Sequence, residues 1–128
     1  MNKAQNLFNS LNKALEKMEE ALKFENSEPF RESTIQRFEY TFEISWKLMA
    51  EILRDEGIDI VGMKSTIREA ARLDLITDVN LWLKFADARN LTSHIYKEEI
   101  ALEVYDIATH GFVEAVKDFV DIAKNKLG

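Results

Sequence analysis

Apolar residues recur along this chain at steps of three and four, the spacing that places side chains on one face of a helix. From about Asn2 to Glu25 the positions Leu7, Phe8, Leu11, Leu15, Met18 and Leu22 form such a face and predict a first helix. Asn26 to Pro29 interrupts it, because Asn and Ser favour turns and proline does not suit a helix interior. A second pattern runs from roughly Phe30 to Glu56 through Ile35, Phe38, Phe42, Met49 and Leu53, widened by Trp46, Leu48 and Ile52, and Gly57 suits its end. The next stretch, IDIVG, reads as a loop, since a lone strand would leave its backbone groups unpaired. Thr66 and Glu69 stand at capping-box spacing and predict a short helix ending near Leu75. Asp78 suits the N-cap of another helix, through Trp82, Phe85 and Ala86 to about Leu91. Thr92 and Ser93 then intervene. From about Lys97 the pattern resumes with Ile100, Val104, Ile107, Ala108, Phe112, Ala115, Val116, Phe119 and Ile122, one long last helix bent or weakened near Gly111.

The expected class is therefore all-α: an antiparallel four-helix bundle with one short extra helix between the second and third long helices, forming one domain over 1–128. Composition agrees. The chain has 128 residues, 46% hydrophobic and 31% charged, with one proline and four glycines, enough for one buried core and little punctuation. There is no cysteine, which removes disulfides, thiolate metal sites and thiol nucleophiles. The amino-terminal stretch MNKAQNLFNSLNKALEKMEE lacks the apolar run of a signal peptide, and nothing approaches a membrane span, so a soluble, cytoplasmic protein with no membrane contact is expected.

Charge narrows the partners. With 17 basic and 23 acidic residues the net charge is −6, which argues against indiscriminate polyanion binding, so any nucleic-acid site must be local. A carboxylate di-metal centre in a bundle would need Glu-x-x-His pairs, yet Leu91 precedes His94 by three residues and Ile107 precedes His110. His94 with Glu98 and His110 with Glu114 are i, i+4 pairs of the kind helix surfaces carry routinely, so no metal is expected. No phosphate-cradling glycine loop or Gly-x-Ser-x-Gly elbow is present, and no cofactor is expected. His110 reads as an interhelical or surface residue without a catalytic task.

One string concentrates chemistry: Arg89-Asn90-Leu91-Thr92-Ser93-His94-Ile95-Tyr96. On an uninterrupted helix Arg89 and His94 would point roughly 140° apart. A bend after Leu91, with Thr92 or Ser93 capping the next helix, would let guanidinium and imidazole enter one cleft. Arginine matches phosphate oxygens, and histidine exchanges a proton near neutral pH; together they suit metal-free cleavage of an RNA phosphodiester. One Arg and one His are few, and a two-fold homodimer would double the set. The same residues also admit a structural reading, in which Arg89 pairs with a nearby carboxylate, His94 fills a helix end, and Tyr96 packs with its hydroxyl bonded.

The string resembles the R-x4-H-x-Y motif of HEPN-domain proteins, in particular HepT-like toxins and the nucleotidyltransferase substrate-binding protein family. The likeness extends through IQRFEYTFEISWK (Ile35 to Lys47), IREAARLDLI (Ile67 to Ile76) and the Trp82 to Tyr96 stretch. It implies an antiparallel helical bundle that dimerises with its motifs facing and is made alongside a minimal nucleotidyltransferase antitoxin encoded nearby. It also implies a metal-independent ribonuclease in which Arg89 and His94 are catalytic, Asn90 assists, and Tyr96 accepts AMP from that partner. A second implied function is a non-catalytic substrate-binding subunit of a two-component nucleotidyltransferase, and a third reading is a structural helical dimer.

Three further features complete the inventory. Lys64, Arg68 and Arg72 stand at i, i+4 and i+8 and would form a cationic helix side for RNA or an acidic partner, or a solvated face. Trp46 and Trp82 would stack on bases or, as tryptophan at helical spacing usually does, belong to the core. Gln36, Arg37, Glu39, Tyr40 and Glu43 form a polar face suited to a dimer or partner interface.

Overall fold

The computed structural model describes residues 2–128; Met1, within the expected 1–128 domain, lies outside the described residues. Its elements are α1 (Lys3–Ala21), α2 (Glu28–Asp55), α3 (Met63–Arg72), α4 (Val79–Leu91), a 3-10 turn (Thr92–His94), α5 (Glu98–Thr109) and α6 (Phe112–Leu127). The protein is all-helical among the described residues, and α3 is the short helix expected between the second and third long ones.

The longest helix, α2, is the hub. It packs against α1, α3, α4 and α5, while α6 packs against α1 and α5. Pro29 opens α2 rather than preceding it: in the first turn the missing N–H breaks no hydrogen bond, so the helix starts earlier than the proline suggests. Gly57 ends it as expected, in a Schellman closure with φ 84°, where the Gly57 N–H donates to the Arg54 carbonyl and that of Ile58 to the Leu53 carbonyl. The segment 58–62 is a loop, and Ile58 and Ile60 turn partly into the core.

Two expectations fail. Thr66 does not cap α3. The helix begins at Met63 after Gly62, and the buried Thr66 hydroxyl turns back to donate to the Gly62 carbonyl at 2.6 Å. A hydroxyl inside the first turns takes this i−4 bond, so the Thr-x-x-Glu spacing here is not a helix start. The single long last helix is also two helices. His110 is extended (φ −127°, ψ 100°) and Gly111 is left-handed (φ 90°), a conformation glycine adopts without Cβ strain, so the chain breaks fully rather than bending.

That break aims Phe112 into the core. Its ring meets Phe38 of α2 at 4.7 Å and Phe85 of α4 at 5.1 Å, both edge-on. Trp82 joins the same cluster through Phe85 at 5.5 Å and Phe119 at 6.2 Å, so α2, α4 and α6 are tied by one aromatic network. Trp82 is therefore a core residue.

α3 ends in a second Schellman closure, with the N–H of Asp74 donating to the Ala71 carbonyl and that of Leu75 to the Ala70 carbonyl, but here the left-handed residue is Asp74 (φ 60°). Relief of the αL penalty, offset by the greater freedom of glycine in the unfolded chain, leaves Asp74→Gly about 0.5 kcal/mol more stable in urea denaturation. A loss of stability of about 1 kcal/mol, as for glycine in a helix interior, would contradict this assignment.

Candidate functional site

The Arg89-to-Tyr96 string runs antiparallel along α2. Arg89, in the last turn of α4, donates through Nε to Oε1 of Glu43. One turn on, the Thr92 hydroxyl meets Oε2 of Glu39 and also lies 2.7 Å from the Arg89 carbonyl. One turn further, Ile95 lines a cavity of about 360 Å³ with Ile35, Glu32 and Arg31 of α2. Arg89, Thr92 and Ile95 thus form an i, i+3, i+6 row on α2, a spacing that the three-residue period of a 3-10 turn keeps in line.

The backbone does not bend after Leu91. Leu91, Thr92 and Ile95 all keep right-handed helical angles, and the α-helix only tightens into the 3-10 turn. The change of direction comes at Lys97, extended at φ −88° and ψ 118°, and Lys97 rather than Thr92 or Ser93 is the N-cap of α5. Thr92 instead closes α4, because its hydroxyl finds acceptors on α4 and α2 and has none to gain downstream.

With one row of the string committed to α2, the other faces solvent. Asn90, Ser93, His94 and Tyr96 are exposed, Tyr96 to 76%. The rings of His94 and Tyr96 stand 6.0 Å apart in an edge arrangement, and Lys97 Nζ lies 6.0 Å over the tyrosine ring. Among the described residues no hydrogen bond, ion pair or ring contact joins Arg89 to His94 within the chain. The structural reading holds for Arg89, which does pair with a carboxylate. It does not hold for Tyr96, whose ring stands out into solvent.

Glu43, read from the sequence only as part of a polar face for a dimer or partner interface, is the anchor of the string within the chain. Only a quarter of its side chain is accessible, and besides Arg89 it accepts the indole N–H of Trp46 at 3.1 Å and faces Lys47 Nζ at 3.9 Å. Its sequence signal was the Glu39, Glu43 spacing of four on the polar face of α2, which aims both carboxylates along one line. That polar face divides: Glu39 and Glu43 turn to the string, whereas Arg37 turns to α1, donating to the Lys17 carbonyl at 2.8 Å.

The cations of α3 are mostly engaged. Lys64 pairs with Asp87 of α4 at 2.6 Å, and Arg72 pairs with Glu69, leaving Arg68 exposed. The Arg72 hydrogen bond holds the Glu69 carboxyl below its ordinary pKa, and Glu69 in turn raises that of Arg72. The pair's contribution is thus present above the unfolded carboxylate's pKa and fades as pH falls through the depressed folded value. His110 is exposed at the end of α5, its Nδ1 2.8 Å from the Asp106 carbonyl. No group of three or more His, Cys, Asp or Glu side chains among the described residues is placed to hold a metal ion, and no helix is long and apolar enough to cross a membrane.

A family profile described as "Nucleotidyltransferase substrate binding protein like" matches residues 2–125. The chain belongs to this family. A Haemophilus influenzae protein named "Probable ribonuclease HepT" is 41% identical over 76 residues, 56% of this chain and 52% of that relative, so the match spans about half of its length. A solved structure from Haemophilus influenzae, described as revealing the fold of a substrate binding domain of a nucleotidyltransferase, superposes with TM-score 0.78 at 28% identity over 91% of this chain and 98% of that one. A crystal structure from Thermus thermophilus superposes with TM-score 0.68 at 34% identity over 92% of this chain and 96% of that one. These matches agree with the resemblance read from the Arg89-to-Tyr96 string: the nucleotidyltransferase substrate-binding protein family, with a HepT relative.

In this family member the Glu43–Arg89 pair is half-exposed, with Arg89 accessible to 33%, so its stabilisation is discounted for solvent. A double-mutant cycle on Glu43→Ala and Arg89→Ala, read by urea unfolding, is expected to give a coupling of about 0.5–1 kcal/mol. A coupling of zero would show that the two side chains do not hold each other in solution.

Proposed function

We propose that this chain is a HEPN toxin-like endoribonuclease of the HepT kind, working without metal as a two-fold dimer and silenced by AMP transfer to Tyr96 from a partner minimal nucleotidyltransferase. The observation that carries the reading is the division of the string: Arg89 fixed on Glu43, and Asn90, His94 and Tyr96 presented together to solvent. Residues kept for packing do not need an imidazole and a phenol on the open side.

In the reaction, His94 takes the proton of an RNA 2′-hydroxyl as its oxygen attacks the adjacent phosphorus. The bond to the 5′-oxygen breaks, and that oxygen leaves with the proton returned by the His94 imidazolium. Arg89 stabilises the added negative charge on the phosphoryl oxygens, and Glu43 keeps the guanidinium from swinging away. Asn90, exposed one position after Arg89, offers an amide to the same phosphate. Because one chain leaves Arg89 and His94 without contact, the arginine of one copy serves the histidine of the other across the two-fold axis. AMP transfer joins the Tyr96 oxygen to the α-phosphorus of ATP with release of pyrophosphate, placing a bulky anion beside His94 that keeps RNA from the imidazole.

A second reading, a non-catalytic subunit that presents substrate to the nucleotidyltransferase, draws support from Arg89 being already neutralised by Glu43 and from the family's own description. Cleavage of a single-stranded RNA in excess chelator separates the two. Wild-type protein cleaves, and Arg89→Ala and His94→Ala each lose about 100-fold or more. Equal rates in all three would refute the ribonuclease, while co-purification with the nucleotidyltransferase without cleavage by the wild type would favour the binding subunit. Tyr96→Phe keeps cleavage but no longer gains the mass of AMP when incubated with the partner and ATP.

A further inference from the structure

The interhelical groove between α1 and α2 carries charge of the opposite sign to the chain as a whole. Two cavities open along it. One, of about 370 Å³, is lined by Lys13 and Lys17 of α1 and by Tyr40 of α2. The other, of about 340 Å³, is lined by Lys3 of α1 and by Trp46, Lys47 and Arg54 of α2. They belong to one furrow. Positions 3, 7, 10, 14 and 17 of α1 advance by alternating steps of four and three, as do 40, 44, 47, 51 and 54 of α2, so each set is a single helix stripe. The helices run antiparallel, with Lys3 beside Glu51 at 3.6 Å and the Lys17 carbonyl beside Arg37 at 2.8 Å.

Five cations thus stand over this furrow against one lining carboxylate, Glu51, which gathers Lys3 and Arg54 at 3.6 and 3.4 Å, and the adjoining Glu43, 3.9 Å from Lys47. The side chains of Lys3, Lys47 and Arg54 remain 71%, 57% and 45% accessible, so their charge is available to a ligand. By contrast the cavity beside Tyr96 is lined by Glu28, Glu32 and Glu98 against Arg31 alone. Aromatic rings interleave with the cations. Trp46 is half-buried and its N–H is already spent on Glu43, so what it offers the cavity is ring surface, which suits stacking rather than hydrogen bonding. Tyr40 lines the neighbouring cavity. Cations spaced along a furrow with aromatic platforms between them fit a single-stranded polynucleotide, whose phosphates and bases alternate in the same way. Lys3 and Lys17 stand roughly 21 Å apart along α1, room for several nucleotides.

We propose that the α1/α2 groove is a binding track for single-stranded RNA, with Lys13, Lys17, Lys47 and Arg54 on phosphates and a base stacked on Trp46. Glu43 joins the track to the cleavage site, since one carboxylate oxygen holds Arg89 and the other holds Trp46. The identity of the polyanion as RNA rests on the ribonuclease reading; the groove's charge and rings do not.

The test measures binding of a fluorescent single-stranded RNA of about a dozen nucleotides by anisotropy, using the full chain in a His94→Ala background so that the probe survives. Compared are the parent, Trp46→Ala, Lys13→Glu with Lys17→Glu, Lys47→Glu with Arg54→Glu, and a control pair outside the furrow, Lys84→Glu with Lys124→Glu. Circular dichroism and size-exclusion chromatography accompany each. The expected result is a loss of about tenfold or more for each charge-reversed groove pair, a smaller loss for Trp46→Ala, and a control within about twofold. The salt slope should fall by about one for each phosphate contact removed. Equal losses in control and groove variants, no binding by the folded parent, or groove variants that bind RNA normally would overturn the track. Loss confined to variants that have changed oligomeric state, or loss of the nucleotidyltransferase with RNA binding intact, would assign the furrow to a protein instead and overturn it too. A wild type that binds in the groove but never cleaves would defeat the ribonuclease reading and leave the track standing.

Discussion

The ion pair between Glu43 and Arg89 is the contact on which the site depends. It joins residues 46 positions apart, and with the Thr92–Glu39 bond one turn away it fixes how the end of α4 lies on α2. Once that row is committed, the helical period decides the rest. Arg89, Thr92 and Ile95 face α2, so Asn90, His94 and Tyr96 must face out. The 3-10 turn fits this arrangement because three residues per turn hold the inward row straight where an α-helix would let it drift.

Glu43 imposes two opposing effects on the arginine. Accepting from Nε leaves the terminal nitrogens of the guanidinium in place for a phosphate, the fork geometry that makes arginine suited to oxyanions. The same carboxylate offsets part of the positive charge. An arginine so held is oriented at low entropic cost on binding, at the expense of long-range attraction. For the proposed RNA substrate of an acidic chain that attraction would have to come from elsewhere, and the cations over the α1/α2 groove are the proposed counterpart.

Much of the architecture was legible in the sequence because it rests on local periodicity. The stripes of α2 and α4, that of α1 apart from Leu22, which is exposed just past the helix end at Ala21, the N-cap at Asp78, whose side chain accepts the Leu81 N–H at 3.1 Å, and the glycine end of α2 all appear where spacing and turn chemistry put them. Errors fell where one short pattern serves two structures. Thr-x-x-Glu marks a helix start only if the threonine is outside the helix, and Gly62 had already allowed α3 to begin. The apolar period continues unbroken through Gly111, so it could not reveal that a left-handed glycine redirects the chain and drives Phe112 into the aromatic core. The string from Arg89 to Tyr96 was visible as chemistry, but its partners on α2 were not, because pairing across 46 and 53 residues leaves no local trace. For the same reason Trp46 and Trp82 looked alike in sequence, and only packing separates the buried Trp82 from the half-buried Trp46 beside lysines.

The proposed site is divided within each chain and completed by a second copy. Mixing Arg89→Ala protein with His94→Ala protein and allowing the subunits to exchange tests this directly. If arginine and histidine are contributed by different copies, half of the dimers are mixed and each regains one of its two sites, so metal-free RNA cleavage recovers to about a quarter of the wild-type rate. Activity that stays at the sum of the two separate variants would place both groups in one protomer, or neither in catalysis, and contradict the account.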